Sequence, residues 1–299
     1  MTEQDGSQFL NNRMNATEDK ARLAEVEHMA SQRFVILLSH ERSGSHYLVD
    51  MLTSQSPIAS LDEICNFNSV NPDKSRASFF RFQHETGIRD SELMLRPNAE
   101  TRTRFMDLYL RHLAGLVDGQ KKILLDIKYG HVHNFEIGWC PSERRPFLLD
   151  YLERRNVPVV HLTRADSIAA VASSMIAEKT GVWHRRNSDA EEVVAKVPLP
   201  TLKVAYEALA LEREKDNFFG WLPGCRFFNV GYEQLAGPET VRSAIMTRVC
   251  SFLGLPDRTE FPSRHSKVTP PLGNVVQNFD EVMRVVRLFG GGRLRMVHM

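Results

Sequence analysis

The chain is poor in every feature that would take it out of the ordinary globular class. No window approaches 18 consecutive apolar residues, so no transmembrane helix is expected. Of its cysteines, Cys65, Cys140, Cys225 and Cys250, no two form a C-x-x-C pair. Thiols scattered in this way read as reduced and mostly buried, not as disulfides or zinc ligands. Charge of one sign is missing too: 38 Lys plus Arg stand against 37 Asp plus Glu, a formal +1. Without a basic field, a nucleic-acid surface is not expected. Residues 1–15 are polar and lack the apolar centre of a signal peptide, so a loose tail and a cytoplasmic location are expected. There is no internal repeat and no low-complexity tract. A G-x-x-x-x-G-K-[ST] nucleotide loop is also absent.

What is present is an alternation of short apolar runs and amphipathic stretches. The runs at 34–39, 123–128, 158–162 and 227–230 read as four buried strands. Helices are expected over 17–31, 46–54, 101–117, 146–154, 167–179, 201–216 and 238–253. Strands alternating with helices imply an α/β fold, a central parallel sheet flanked by helices in three layers, at 299 residues in one domain. Residues 66–90 hold Asn, Ser, Pro, Arg and several Phe without clear periodicity and read as a long irregular loop.

The most informative stretch follows the first strand. His40-Glu41-Arg42-Ser43-Gly44-Ser45-His46 leads from an apolar run straight into a helix beginning near Tyr47. A strand entering a helix through small residues presents backbone N–H groups at the positive end of the helix dipole, which is an anion site. Arg42 adds a fixed positive charge, and Ser43 and Ser45 add hydroxyls.

The turn Arg42-Ser43-Gly44-Ser45-His46-Tyr47-Leu48 resembles the R-[ST]-G-[ST]-x-x-L loop of bacterial carbohydrate sulfotransferases, among them the trehalose 2-sulfotransferase and Nod-factor groups. These enzymes use 3′-phosphoadenosine 5′-phosphosulfate (PAPS). A second stretch, Leu162-Thr163-Arg164 through Ala177-Glu178-Lys179-Thr180-Gly181-Val182-Trp183-His184, is similar to the L-T-R-x-D…A-x-S and A-x-x-T-G-x-W-H runs of the trehalose group. A third, Tyr232-Glu233-Gln234-Leu235 with Phe252-Leu253-Gly254, is similar to the Y-E-x-L…F-L-G run of sulfotransferases and speaks for fold continuity.

The resemblance implies a P-loop-like fold and transfer of a sulfuryl group from PAPS to a hydroxyl of a carbohydrate or glycosylated small molecule, without metal. It assigns Arg42, Ser43, Gly44, Ser45, His46 and Tyr47 to the phosphosulfate. Arg164 and Ser173 fall to the 3′-phosphate, with Ser174 as the neighbouring candidate. Glu63 is implied as the base that deprotonates the acceptor, with Asp62 as its rival. Lys128 or His46 would assist the leaving group. Trp183 and His184, and the segments 66–120 and 181–200, are expected at the acceptor. Phe67, Phe79, Phe80, Phe82 and Trp183 could stack on a sugar, yet at least half of such aromatics belong in a core. The pair His131 and His133 has metal-ligand spacing without a third ligand in sight. The R-K-G-x-x-G-x-W run of many cytosolic members is missing; Arg264 or Lys267 stands nearest to its place. Two other readings stay open: an NTP-dependent kinase with Asp126 as a magnesium ligand, and a nucleotide-binding scaffold without chemistry. Monomer and homodimer are equally compatible with the sequence.

Overall fold

A computed structural model describes residues 24–54, 57–65, 76–95, 98–136, 144–183, 196–258, 260–263 and 271–290. Five strands form one sheet: β1 Phe34–Ser39, β2 Ile58–Glu63, β3 Lys122–Lys128, β4 Val159–Thr163 and β5 Phe227–Gly231. Their order is β2-β3-β1-β4-β5, and every pairing is parallel. The main helices are α1 Ser45–Thr53, α2 Phe79–Arg89, α3 Ala99–Gly115, α4 Phe147–Arg154, α5 Ser167–Thr180, α6 Thr201–Trp221, α7 Glu239–Leu253 and α8 Phe279–Gly290.

Successive side chains of a strand face opposite ways, and β1 shows what that does in a sheet covered on both sides. Phe34, Ile36 and Leu38 enter one apolar cluster with residues of α3, α4, α5, α6 and α8. Val35 and Leu37 enter a second cluster with α1 and α7. Helices therefore lie on both faces, giving the expected three-layer α/β architecture with β1 at its centre. All six β1 residues are buried, which is why this strand reads as an unbroken apolar run.

Several expectations are corrected. The sheet has a fifth strand, β2, where none is expected from the sequence. It is an edge strand in which only Ile58 is buried, so its sequence IASLDE carries no apolar run. The 66–90 segment is also not irregular throughout. Residues 66–75 lie outside the described residues, but Phe79–Arg89 is helical, with the Ser78 side chain accepting from the Arg81 N–H. Phe79 is buried and packs edge-on to Phe80, Phe105 and Tyr109, while Phe82 lies against Phe105 and Tyr109. Phe79 is thus part of the core, and Phe80 and Phe82 are half-buried against it. Helix α6 runs on to Trp221, beyond the expected end at 216, and α8 and a 3-10 turn at Tyr129–Phe135 are additional.

The β1–α1 turn depends on one glycine. Gly44 has φ +90, a left-handed conformation that strains any residue with a Cβ. A Cβ there would also stand 2.5 Å from the ring of Tyr232. Both constraints act on the same atom. Gly44→Ala is expected to cost about 2 kcal/mol or more and to lower the melting temperature by several degrees. Pairing it with Tyr232→Ala should recover the part owed to the ring. A thermal melt in which Gly44→Ala matches the wild type would refute this account.

Candidate active site

The carboxyl ends of β1, β2 and β3 meet around one ammonium group. Lys128, the last residue of β3, is buried, and its Nζ donates to both carboxylate oxygens of Asp126 at 2.8 and 2.7 Å. It also donates to Ser45 Oγ at 2.7 Å, at the start of α1, and to Ser39 Oγ at 3.4 Å, at the end of β1. Glu63 Oε1, at the end of β2, is 3.4 Å away. Burial of a lone lysine is expensive, and this one is balanced by two carboxylates and two hydroxyls.

A bulge places Glu63. The β2–β3 register shifts between Ser60 and Glu63, so that Glu63 pairs with Asp126. Asp62 absorbs the extra residue with φ 58, and its N–H donates to Ser60 Oγ at 3.0 Å. Bulges of this kind re-aim a side chain next to a site. The Glu63 carboxylate is then 3.9 Å from His46 Nε2. Burial acts to raise the Glu63 carboxyl, but Lys128 and His46 together hold it below the usual carboxylate range. Burial and the Lys128 charge likewise push His46 down, against the pull of Asp126, Glu63 and Asp62. At neutral pH the pair is an ionised carboxylate beside a neutral imidazole.

A second group of cations lies across the turn. Arg42, with φ 62, sends its Nε to Ser173 Oγ at 3.2 Å and a terminal nitrogen to the carbonyl oxygen of Trp183. The Trp183 indole is 6.0 Å from the Arg42 guanidinium carbon and is 42% exposed. Arg164, just beyond β4, donates to the Arg42 carbonyl oxygen at 3.0 Å and lies 4.8 Å over the Tyr232 ring. Its Nε is buried without a hydrogen-bond partner. Ser173 is buried against the loop, whereas Ser174 is half-buried. Ser45 accepts from Lys128 and keeps its own proton to donate. Ser43 differs: its hydroxyl closes the turn by donating to the His40 carbonyl oxygen at 2.7 Å. Tyr47 packs at the edge of the second apolar cluster. Gly44 has no side chain with which to cap α1, so the N–H groups of the first turn look out toward the loop.

His40 registers the sum of these charges. Its ring is buried, its Nε2 has no hydrogen-bond partner, and its pKa is lowered to about 3. Burial is the largest cause, followed by the positive charges of Arg164, Lys215 and Lys128. Three cations thus act on one point beside the loop. Asp126, the magnesium ligand of the kinase reading, has both oxygens on Lys128. Among the described residues no group of three or more His, Cys, Asp and Glu is placed to hold a metal ion. His184, Arg264 and Lys267 lie outside the described residues.

The structure thus gathers Arg42, Ser43, Gly44, Ser45, His46, Glu63, Lys128, Arg164, Ser173 and Trp183 at one end of the sheet, from four strand ends and two helices. Sequence reasoning passed over His40, Lys215 and the contact role of Tyr232, although Tyr232 opens the Y-E-x-L run. No protein-family model matches the chain, and no curated protein does. One similar solved structure is described as "Sulfotransferase Domain from the Curacin Biosynthetic Pathway". It is 14% identical, with 86% of this chain and 97% of that chain covered, at a TM-score of 0.40. A likeness of that size carries no functional weight. Among the described residues no helix is long and apolar enough to cross a membrane.

The buried histidine gives a pH dependence with a definite sign. Unfolded, His40 gains its proton near pH 6.5; folded, it stays neutral down to about 3. Between those values the unfolded chain holds more protons, so stability falls with falling pH by about 1.4 kcal/mol per pH unit for this one group. Glu63, held low in the fold, adds loss in the same direction as pH drops below about 4.5. Urea unfolding of wild type and His40→Asn between pH 4.5 and 7.5 should show a visibly flatter slope in the variant. Parallel slopes would show that the fold does not hold His40 neutral.

Proposed function

We propose that the protein is a PAPS-dependent sulfotransferase acting on a hydroxyl of a carbohydrate or glycosylated small molecule. One observation carries this reading: Arg42, Arg164 and Lys128 converge on the uncapped start of α1, with an ionised Glu63 within 3.4 Å of Lys128. A cradle with so many cations suits a ligand of several negative charges at fixed spacing. The residues present fit such a ligand without metal, since the carboxylate that a kinase would give to magnesium is taken up by Lys128.

In this function the turn N–H groups, Ser45 and Arg42 hold the 5′-phosphosulfate, and Arg164 with Ser173 holds the 3′-phosphate. Glu63 takes the proton of the acceptor hydroxyl as its oxygen bonds to sulfur. The bond between sulfur and the bridging oxygen breaks, and the electron pair leaves with the 5′-phosphate of 3′,5′-ADP. Lys128 would stabilise that charge as it develops. Arg42, permanently protonated, orients oxygens and does not serve as a titrating acid. The exposed Trp183 indole next to Arg42 offers a flat face to a sugar, which favours a carbohydrate acceptor.

Calorimetry without metal tests the nucleotide class. Wild type should bind 3′,5′-ADP, and Arg164→Ala should weaken it by about tenfold to a hundredfold. Binding only of ATP, and only with magnesium, would overturn the proposal. Glu63→Gln should cut kcat by about a hundredfold or more without weakening 3′,5′-ADP binding. Normal turnover in that variant would remove Glu63 from the chemistry.

A further inference from the structure

In the turn that carries Arg164, three residues, Arg164, Ala165 and Ser167, are held by side chains from elsewhere. Lys215, in the middle of α6, donates from Nζ to the Arg164 carbonyl oxygen at 3.0 Å. The Ala165 N–H donates to Glu233 Oε1 at 3.0 Å. Asp166 caps α5 by accepting from the Ala169 N–H at 2.7 Å. The Ser167 hydroxyl donates to Glu212 Oε1 at 2.5 Å, and that same oxygen accepts from Lys215 Nζ at 2.7 Å. Lys215 is 6% exposed.

A connection between a strand and a helix needs no buried ammonium group to close it. Burying one costs free energy unless its protons are all met, and here a carbonyl and one carboxylate meet it. The consequence is positional. Fixing the Arg164 carbonyl and the first residue of α5 together sets the direction in which the Arg164 side chain leaves the strand end. The Tyr232 ring and the Arg42 carbonyl then hold the guanidinium from the far side.

We infer that Lys215 and Glu212 are positioning residues for Arg164, fixing the backbone from which it grips the 3′-phosphate. This rests on the function proposed above. A group holding the 3′-phosphate arm affects nucleotides that carry that phosphate and spares those that lack it. Loss of general structure affects both alike.

The experiment is calorimetry without metal, using 3′,5′-ADP and 5′-AMP as probes. Wild type, Arg164→Ala, Lys215→Met, Glu212→Gln and the Lys215→Met/Arg164→Ala double variant are compared, each with a thermal melt. Lys215→Met should weaken 3′,5′-ADP by about tenfold and 5′-AMP by no more than about twofold. The double variant should bind 3′,5′-ADP as Arg164→Ala does alone, because both changes disable one group. Should Lys215→Met melt below the assay temperature, Glu212→Gln decides by the same comparison, with a loss of about threefold expected for 3′,5′-ADP. Wild-type protein that binds no 3′,5′-ADP, or Arg164→Ala that binds it undiminished, overturns the functional reading, and the inference with it. Binding lost in Arg164→Ala but intact in Lys215→Met or Glu212→Gln overturns the inference alone. So does equal weakening of both nucleotides, or additive losses in the double variant.

Discussion

The ammonium of Lys128 is where the sheet, the anion loop and the candidate base are joined. An ammonium has three protons to donate, and five oxygens lie within reach of this one: two from Asp126 and one each from Ser45, Ser39 and Glu63. Those oxygens come from β1, β2, β3 and the first residue of α1. A charge buried so deeply is tolerated only while its partners stay in place. The positions of the three strand ends, and of the helix that starts beside them, are therefore tied to one another through it. Loss of Asp126 would leave a buried cation undercompensated, which disturbs the fold as much as the site.

The loop meets a second constraint from the opposite side. The Tyr232 ring fills the space that a Cβ on Gly44 would need, and Arg164 lies over that ring while donating to the Arg42 carbonyl. Arg42 in turn reaches Ser173 and the Trp183 backbone. The β1–α1 loop is thus clamped between the β3 side, through Ser45 and Lys128, and the β4–β5 side, through Arg164 and Tyr232. Preorganised cations of this kind need little rearrangement when charge develops on a ligand.

Much of this was legible in the sequence because it lies on elements buried on both faces. The apolar runs of β1, β3 and β4 announce themselves, the edge strand β5 is readable from Phe227, Phe228 and Val230 although Val230 alone is buried, and the polar residues that end them fall at the carboxyl edge, where a parallel sheet binds ligands. The edge strand β2 was not legible: its sequence IASLDE carries no apolar run, and a bulge at Asp62 breaks the alternation that remains. Helix α2 was obscured in a similar way, since Phe79 is its one fully buried residue. Helix α8 is a different case. Phe279, Val282, Met283 and Val286 stand at helical spacing, so its pattern was readable and simply not assigned. Within the site, charged groups at strand ends were readable one at a time. That Lys215 joins them was not, because its partner is a backbone carbonyl 51 residues away and leaves no mark on composition or period.

In the proposed function, the Lys128–Glu63 contact would make the strength of Glu63 as a base depend on what occupies the loop. Two opposing effects act on the Glu63 carboxyl: burial, the larger single effect, raises its pKa, while Lys128 and His46 lower it. Of the oxygens around Lys128, those of Glu63 and Ser39 are the most distant, both at 3.4 Å. With more oxygens than protons to share, an arriving anionic oxygen displaces the longest contacts first. In the proposed function, a phosphosulfate in the loop would draw Lys128 toward itself and add negative charge beside Glu63. Both changes remove what holds the carboxyl down, and burial then pushes it upward. Glu63 would be a poor proton acceptor in the empty site and a better one once the donor is bound, which ties deprotonation of the acceptor to the presence of the group to be transferred.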